Sequence, residues 1–308
     1  MRIVVYGSGG VGGYFGLRLA EAGNQVHFIA RGAHLEQIKA NGFELISPKG
    51  NFLLENALAS SQSDQIEFDQ IDLVIFACKT FQLEAAAEEI APFVGSTTLL
   101  LPLLNGVESP EILSSVFGST NVLGGLCRII SKIDRPGRIA HLDVEPSVVF
   151  GELDGVRSCR AKMVQSVFSK AGVQIKLSEH IEKEMWTKFM FISSISALGA
   201  LVRAPIGVLR QGYLRTVIRA TLEEIYALAQ AKGVVLNSQI IEKQMEIIDR
   251  QDNLTTASLQ RDMMQGRPSE LESQNGAVVR MAKKYGVITP WNEMIYEFLR
   301  PQEEDSRN

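Results

Sequence analysis

The stretch that decides the fold is RIVVYGSGGVGGYFGLRLAEAG, residues 2–23. It opens with a short strand-like run, continues through closely spaced glycines, and then takes the apolar spacing of a helix. Gly7, Gly9 and Gly12 stand in the spacing G-x-G-x-x-G between the predicted strand and the predicted helix. In that context the spacing is typical of a dinucleotide-binding turn, although the same spacing alone would be weak evidence.

Each glycine of this turn has its own predicted role. Gly7 makes the tight turn, Gly9 lets a pyrophosphate approach the backbone, and Gly12 lets the helix pack closely on the strand. The helix N-terminus then faces the phosphates. The alternative is a flexible glycine turn without a ligand, which the flanking strand and helix disfavour. The predicted cofactor-binding residues of the turn are Gly7, Ser8, Gly9, Gly10, Val11 and Gly12.

Strand-like and helix-like segments alternate through the first half of the chain. Strands are predicted at QVHFIA, DLVIFACK, STTLLLPLLNG and RIAHLDVEPSVVFGELDG, with a hairpin at FELISPKGNFLLEN. Helices are predicted at HLEQIKANG and LEAAAEEIA. This order indicates a mostly parallel sheet with helices on both faces, so we assign residues 1–179 to an α/β Rossmann domain.

The second half of the chain is predicted to be helical. Strand-like runs vanish after about residue 178, and residues 180–308 are expected to form an all-α domain for substrate binding and catalysis. The predicted helices lie near residues 180–201, 213–232, 237–250, 269–285 and 290–300. The final residues, RPQEEDSRN, are expected to form a solvated, frayed tail.

Composition excludes several classes of protein. The chain has 308 residues, a net charge of −4 and no basic block, which argues against a nucleic-acid surface. Cys78, Cys127 and Cys159 lie far apart, without the spacing of a zinc site or a disulfide framework, so no metal is expected. Cysteine usage therefore predicts a reducing, cytoplasmic environment.

Two apolar stretches were weighed as membrane or export signals. The N-terminal apolar run is short and ends in glycines, which predicts a strand rather than a secretion signal. Residues 185–201, MWTKFMFISSISALGAL, are near the lower length limit for a membrane span. Because this stretch contains Lys188 together with serines and a threonine, a buried helix of a soluble protein is the prediction.

The end of the second strand favours one nicotinamide cofactor over another. An Asp or Glu there usually holds a ribose 2′-hydroxyl, but the sequence has FIAR followed by GAH and no acid. Arg31 instead offers a guanidinium for a 2′-phosphate, which predicts NADP(H) rather than NAD. Lys79 and Asn105 follow two further strands, at the edge where ligands bind in such sheets.

Taken in order along the chain, these features resemble the ketopantoate reductase family (2-dehydropantoate 2-reductases). The resemblance covers nearly the whole chain. It is carried by GSGGVGG, Arg31, CKT with Lys79, PLLNG with Asn105, VLGG at residues 122–125, W-x-K at residues 186–188, and SLQRD…GRPSELESQNG at residues 258–276.

The resemblance implies a reaction and a set of site residues. It implies that NADPH gives hydride to the carbonyl carbon of a 2-keto acid, in a cleft between the two domains. Lys188 falls on the catalytic lysine of the family, Glu270 on its glutamate and Ser258 on a substrate-contacting serine. Lys79 and Asn105 fall on cofactor-side residues.

Each of these assignments has a structural alternative. An ammonium group can stabilise the developing oxyanion and supply its proton, but a lysine can also lie with its stem on apolar surface and its head in water. Glu270 either pairs with Lys188 or holds a substrate hydroxyl, while Ser269 and Glu272 have the spacing of a helix capping box. Ser258 could instead cap a short helix.

The sequence departs from the family at the substrate side. Asparagines of the family are replaced by Ile192, Ser196 and Ile206, and Ser194 or Ser196 is the candidate for a compensating substrate contact. The primary prediction is reduction of 2-dehydropantoate to pantoate for pantothenate synthesis. The alternatives are a relative that reduces a more apolar 2-keto acid, a non-catalytic NADP-binding sensor, and an enzyme that uses NAD. The sequence leaves the oligomeric state open, with a homodimer as one option.

Overall fold

The computed structural model describes residues 1–307, apart from the side chain of Asp143. The chain forms two compact units. The first consists of Met1–Leu104 and Ser109–Ile181, and the second consists of Asn105–Glu108 and the chain from Glu182 onward. The sequence predicted a single change at residues 179–180, whereas the structure also assigns the short segment Asn105–Glu108 to the second unit.

The first unit contains the parallel sheet that the sequence predicted. Its strands are β1 (Arg2–Tyr6), β2 (Gln25–Ile29), β3 (Phe43–Ile46), β4 (Phe52–Leu54), β5 (Leu58–Ser60), β6 (Leu73–Phe76), β7 (Leu99–Pro102), β8 (Leu123–Arg135), β9 (Arg138–Glu152) and β10 (Gln174–Leu177). Five of them pair in the order β5-β2-β1-β6-β7, and every pair in that sheet is parallel. The Rossmann-type fold is therefore confirmed.

Helices cover both faces of this sheet. The helices of the first unit are α1 (Gly10–Glu21), α2 (Gly32–Asn41), α3 (Leu83–Ile90), α4 (Ser109–Phe117) and α5 (Cys159–Lys170). Successive side chains of β1 alternate between two hydrophobic cores, because side chains of a strand point to opposite faces. Ile3 and Val5 pack with α1 residues such as Phe15, whereas Val4 packs with α3 residues such as Ala87.

A second sheet lies beside α1 in the same unit. The predicted hairpin is confirmed, since β3 pairs antiparallel with β4. Strand β9 pairs in parallel with β3 and β10 and antiparallel with β8. Strands β5, β8 and β10 were not predicted from the sequence. The outer half of β8 is largely exposed and its RIISKIDR sequence carries charges, so it lacks the apolar run by which the buried strands were recognised.

His27 is a buried histidine of β2 whose protonation opposes folding. Only 4% of the residue is exposed. Its Nε2 lies 2.8 Å from the Ser60 hydroxyl, which itself donates to the carbonyl oxygen of Gln62, so Nε2 must donate and Nδ1 carries no proton. Burial, with a smaller contribution from the Lys39 charge, lowers the pKa of His27 from 6.5 to about 4.

This pKa predicts a loss of stability in mild acid. The unfolded chain binds a proton on His27 at a higher pH than the folded chain does. The contribution of His27 to the free energy of unfolding is therefore complete above the pKa of the unfolded chain and is lost as the pH falls toward about 4. We expect the free energy of unfolding to fall by about 2 kcal/mol between pH 7 and pH 5 from this residue. Urea unfolding of the wild type and of His27→Gln at both pH values measures it. The same pH dependence in both proteins would contradict the assignment.

The second unit is helical, as predicted. Its helices are α6 (Ile181–Val202), α7 (Ile206–Leu209), α8 (Gly212–Lys232), α9 (Ile240–Asp249), α10 (Ser258–Met264), α11 (Ala277–Tyr285) and α12 (Pro290–Asp305), with the first residue of α6 belonging to the first unit. By length and composition α6 could cross a membrane, but 67% of its most apolar window is buried inside the protein. It packs in the hydrophobic core of this unit through residues such as Trp186 and Phe189.

The helix predicted near residues 269–285 is present, with a π-helical turn at Glu272–Gly276 preceding α11. The capping-box alternative is not formed, because the Ser269 hydroxyl accepts the N–H of Leu271. The prediction of a frayed tail is wrong for residues 300–305, because α12 continues to Asp305 and Glu303 is 3% exposed, while Asn308 lies outside the described residues. The carboxylate of Glu303 accepts hydrogen bonds from the backbone N–H and the hydroxyl of Ser269, which fixes this part of α12.

Candidate active site

The glycine turn follows β1 and has the close contacts that its spacing predicts. Gly7 has a φ of +100°, and a Cβ there would lie 2.5 Å from the backbone nitrogen of Cys78. A Cβ on Gly12 would lie 2.1 Å from the carbonyl oxygen of Gly7, so helix α1 packs directly on the turn. By contrast, no heavy atom of residues 1–307, apart from Gly9 and its two neighbours in the chain, lies within 4 Å of the Cβ position of Gly9. The protein itself does not fill the space in front of Gly9, which leaves room for a ligand.

The start of α1 offers backbone donors rather than side chains. Gly9 is the N-cap residue and no side chain caps the helix. Ser8 is 3% exposed, and its hydroxyl and its backbone N–H both donate to the carbonyl oxygen of Ile29, so its donors are already used within the protein. Position 10 requires glycine for steric reasons, because a Cβ there would lie 2.5 Å from the carbonyl oxygen of Ser131. Val11 is half-buried against the core.

Arg31 is accessible at the end of β2. Its side chain is 65% exposed, and its guanidinium lies 3.8 Å from the carboxylate of Glu89. Glu89 also accepts hydrogen bonds from the Tyr6 hydroxyl and from the Ser63 backbone and hydroxyl. Burial alone would raise the pKa of Glu89, but these hydrogen bonds and Arg31 together hold the pKa below its ordinary value. The ion pair therefore leaves most of the Arg31 side chain open to solvent.

Lys79 lies at the same edge of the sheet. It follows β6, is half-buried, and its backbone N–H donates to the side-chain oxygen of Gln82 at 3.2 Å. Because all the strands of this sheet are parallel, the residues that follow β1, β2 and β6 share one edge. The structure thus places Gly7, Arg31 and Lys79 at the carboxyl ends of neighbouring strands of the first unit, and their role in cofactor binding remains a prediction.

The second unit holds a network of a cation, an amide and a carboxylate. The Lys188 ammonium, on α6, donates to Oδ1 of Asn105 at 2.9 Å. Nδ2 of Asn105 in turn donates to the carboxylate of Glu270 at 2.8 Å. A carboxylate can only accept and an ammonium can only donate, so the amide orientation is fixed by its two partners. Asn105 therefore bridges the two residues that the sequence predicted to be catalytic.

Close packing positions this network. Gly106, with a φ of +94°, lies so near the Glu270 segment that a Cβ would be 2.9 Å from the carbonyl oxygen of Ser273. Glu270 is 6% exposed and follows Ser269, which the Glu303 carboxylate anchors. The backbone on both sides of Glu270 is thus fixed by these contacts.

The remaining predicted substrate residues are not part of this network. Ser258 is exposed in the first turn of α10, and no hydrogen bond joins it to Lys188 or Glu270 within residues 1–307. Its proposed neighbour Asp262 pairs with Arg267 at 2.6 Å. Ser196 is 2% exposed on α6, two turns beyond Lys188. The roles of Ser196 and Ser258 remain predictions.

The two isoleucines that replace family asparagines differ in their surroundings. Ile192 is half-buried one turn after Lys188 on α6, so the two side chains share a helix face. Ile206 is 2% exposed and belongs to the hydrophobic core of the second unit. Of the two, only Ile192 can present apolar surface beside the lysine.

The direct link of Asn105 to Lys188 and Glu270 was not predicted from the sequence. The cofactor-side role of Asn105, expected from its place after β7 and from the family resemblance, remains a prediction. Glu303 was missed as an anchor of the Glu270 segment, since nothing in RPQEEDSRN marks one acid as buried. Across the part of the chain that the structure describes, no group of three or more His, Cys, Asp and Glu residues is placed to hold a metal ion.

Comparisons with known proteins decide the family. Residues 3–155 match the family model of ketopantoate reductase PanE/ApbA, and residues 180–303 match the model of its C-terminal part. The chain belongs to the ketopantoate reductase family. Both halves of the fold, and the family inferred from sequence motifs, are thereby confirmed.

Individual relatives share nearly the full length of the chain. The uncharacterized oxidoreductase YkpB of Bacillus subtilis is 33% identical over 98% of this chain and 99% of its own. The 2-dehydropantoate 2-reductase of Mesorhizobium japonicum is 27% identical over 97% of both chains. This ketopantoate reductase family member is therefore an oxidoreductase.

Solved structures with the same fold also match the full length of the chain. The PanE/ApbA family ketopantoate reductase from Ralstonia eutropha has a TM-score of 0.91 at 27% identity and covers 100% of both chains. The ternary structure of D-mandelate dehydrogenase with NADH and anilino(oxo)acetate also has a TM-score of 0.91, at 25% identity and 100% coverage of both chains.

Proposed function

We propose that this protein reduces a 2-keto acid to the corresponding 2-hydroxy acid with NADPH. The observation that carries the proposal is the network in which Asn105 joins the Lys188 ammonium to the Glu270 carboxylate. Similarity to 2-dehydropantoate 2-reductases and to a dehydrogenase of a 2-hydroxy acid supports it.

The residues of the first unit suit a nicotinamide dinucleotide. The open space before Gly9 and the uncapped N-terminus of α1 suit a diphosphate, because backbone N–H groups and the helix dipole favour anions there. The exposed guanidinium of Arg31 suits a 2′-phosphate, which favours NADPH over NADH. When bound, NADPH supplies the hydride that adds to the carbonyl carbon.

Lys188 supplies the proton that completes the reduction. Addition of hydride to a ketone leaves negative charge on the carbonyl oxygen, and the ammonium stabilises this charge before it donates a proton to form the hydroxyl group. Glu270 holds the amide of Asn105, and the amide oxygen holds the ammonium. The cation is thereby fixed in place without direct neutralisation by the carboxylate.

Two substrates are candidates. 2-Dehydropantoate, the first candidate, is supported by the names of several full-length relatives at 25–27% identity. A 2-keto acid with an apolar side chain is the second, because Ile192 presents an apolar group one turn from Lys188. The likeness to D-mandelate dehydrogenase supports this alternative. For the first candidate, the role would be pantothenate synthesis.

A substrate panel tests the proposal. NADPH oxidation is followed by absorbance with ketopantoate, 2-ketoisovalerate and phenylglyoxylate at equal concentrations. We expect turnover with at least one of them, and the ratio of the kcat/KM values then assigns the substrate class. A protein that binds NADPH tightly but oxidises it with none of these acids would be a non-catalytic sensor instead.

The same assay tests the choice of cofactor. We expect NADPH to be preferred over NADH in the wild type and the preference to fall by about tenfold in Arg31→Gln, since one charge-assisted contact is lost. Equal use of the two cofactors by the wild type would contradict the role of Arg31. Within the proposal the protein is cytoplasmic, which is supported by its three free cysteines.

A further inference from the structure

His34 joins the glycine turn to two other elements of the first unit. It lies in α2, and its ring packs edge-on against Phe43 with 5.3 Å between ring centroids. Nδ1 accepts the backbone N–H of Gly137, in the turn between β8 and β9, at 3.0 Å. Nε2 lies 3.0 Å from the carbonyl oxygen of Ser8. Because Nδ1 is an acceptor, the proton of the neutral ring is on Nε2, which donates to Ser8.

The neutral ring is the form that this geometry requires. A protonated ring would present a second donor to the N–H of Gly137. Burial lowers the pKa of His34, which keeps the ring neutral near pH 7, although the hydrogen bond to Ser8 acts in the opposite direction.

The backbone N–H, the hydroxyl and the carbonyl oxygen of Ser8 all form hydrogen bonds within the protein. Its N–H and its hydroxyl both donate to the carbonyl oxygen of Ile29, at 3.1 and 2.9 Å. Its carbonyl oxygen accepts from His34. A trans peptide is planar, with its C=O and N–H pointing in opposite directions, so the N–H of Gly9 points away from His34. The Cβ position of Gly9 faces open space, and we expect the N–H of the same residue to be available to a ligand.

We propose that His34 is a positioning residue for nucleotide binding, which holds the Ser8 carbonyl and thereby aims the Gly9 N–H at the diphosphate. The inference rests on the proposed function, because it presupposes a nicotinamide dinucleotide on the glycine turn. It explains why a histidine on α2 reaches across to a loop residue 26 positions earlier.

Two substitutions of similar size separate this role from simple packing. In His34→Asn the amide reaches the position of Nδ1, so it can accept from Gly137 but cannot reach Ser8. In His34→Gln the amide reaches the position of Nε2 and can still donate to Ser8. We expect His34→Asn to weaken NADPH binding by about tenfold and His34→Gln to keep it within about threefold of the wild type. Fluorescence titration of NADPH measures both.

A ligand without a diphosphate is the control. We expect 2′-AMP, which carries the 2′-phosphate alone, to bind all three proteins equally in competition with NADPH. His27→Gln, on the neighbouring strand, should lower stability while NADPH affinity stays unchanged. Equal NADPH affinity of the Asn and Gln variants, or a parallel loss of 2′-AMP affinity, would overturn the role of His34. If the wild type bound no NADPH, the proposed function would fail first, and this inference with it.

Discussion

Replacing Lys188 by alanine is expected to lower the turnover of a 2-keto acid by about 1,000-fold, because the variant loses both the proton donor and the charge that stabilises the oxyanion. NADPH should still bind with an affinity close to that of the wild type. The diphosphate and the 2′-phosphate of NADPH are expected to bind at the glycine turn and at Arg31. Steady-state kinetics at saturating NADPH, together with fluorescence titration of the cofactor, measure the two effects separately.

Lys183 provides a matched control on the same helix. It is exposed and lies five positions before Lys188 in α6, so Lys183→Ala changes the charge of the helix by the same amount. We expect that variant to retain turnover within about twofold, as is usual for an exposed surface substitution. If Lys188→Ala retained turnover within tenfold of the wild type, Lys188 would not be the acid of the reaction.

Asn105→Leu is expected to have the next largest effect. Leucine has nearly the same shape as asparagine, but it can neither accept a hydrogen bond from Lys188 nor donate one to Glu270. Glu270 is 6% exposed. Loss of a donor to a buried carboxylate should cost about 2 kcal/mol of stability. Turnover should fall by about 100-fold, because the ammonium is no longer held in position.

The kinetic pattern distinguishes two roles of Asn105. If it positions Lys188, kcat falls while NADPH affinity changes little; if it acts only on the cofactor side, NADPH affinity falls at unchanged kcat. Glu108→Gln is the control in the same segment, since it removes a surface ion pair with Arg280 outside the network. That variant should lose less than about 1 kcal/mol of stability.

The parallel sheet could be predicted because buried strands and glycine turns leave a strong local signal. Residues 73–76 are wholly apolar and the structure buries all four, as the sequence implied. The turn at Gly7 could be recognised because its conformation and close packing exclude other residues. Strand β8 could not, since its outer half pairs only with β9 and its side chains carry no alternating apolar pattern.

The candidate site was only partly accessible to sequence reasoning. Lys188 was found because a lone charge in an apolar helix is unusual, and Glu270 because it matches a family motif. Their bridge was not found, because Asn105 is 83 residues from Lys188 and 165 residues from Glu270 along the chain. The roles of His34 and Glu303 likewise depend on contacts between distant segments, which no local pattern records.

Chemical rescue of Lys188→Ala by a small primary amine tests the central claim most directly. The variant, saturated with NADPH and a 2-keto acid that the wild type reduces, is titrated with ethylamine while NADPH oxidation is followed. We predict that the rate rises in proportion to the concentration of ethylammonium, while the wild-type rate does not change. A variant that already reduced the acid at the wild-type rate without amine would contradict the account.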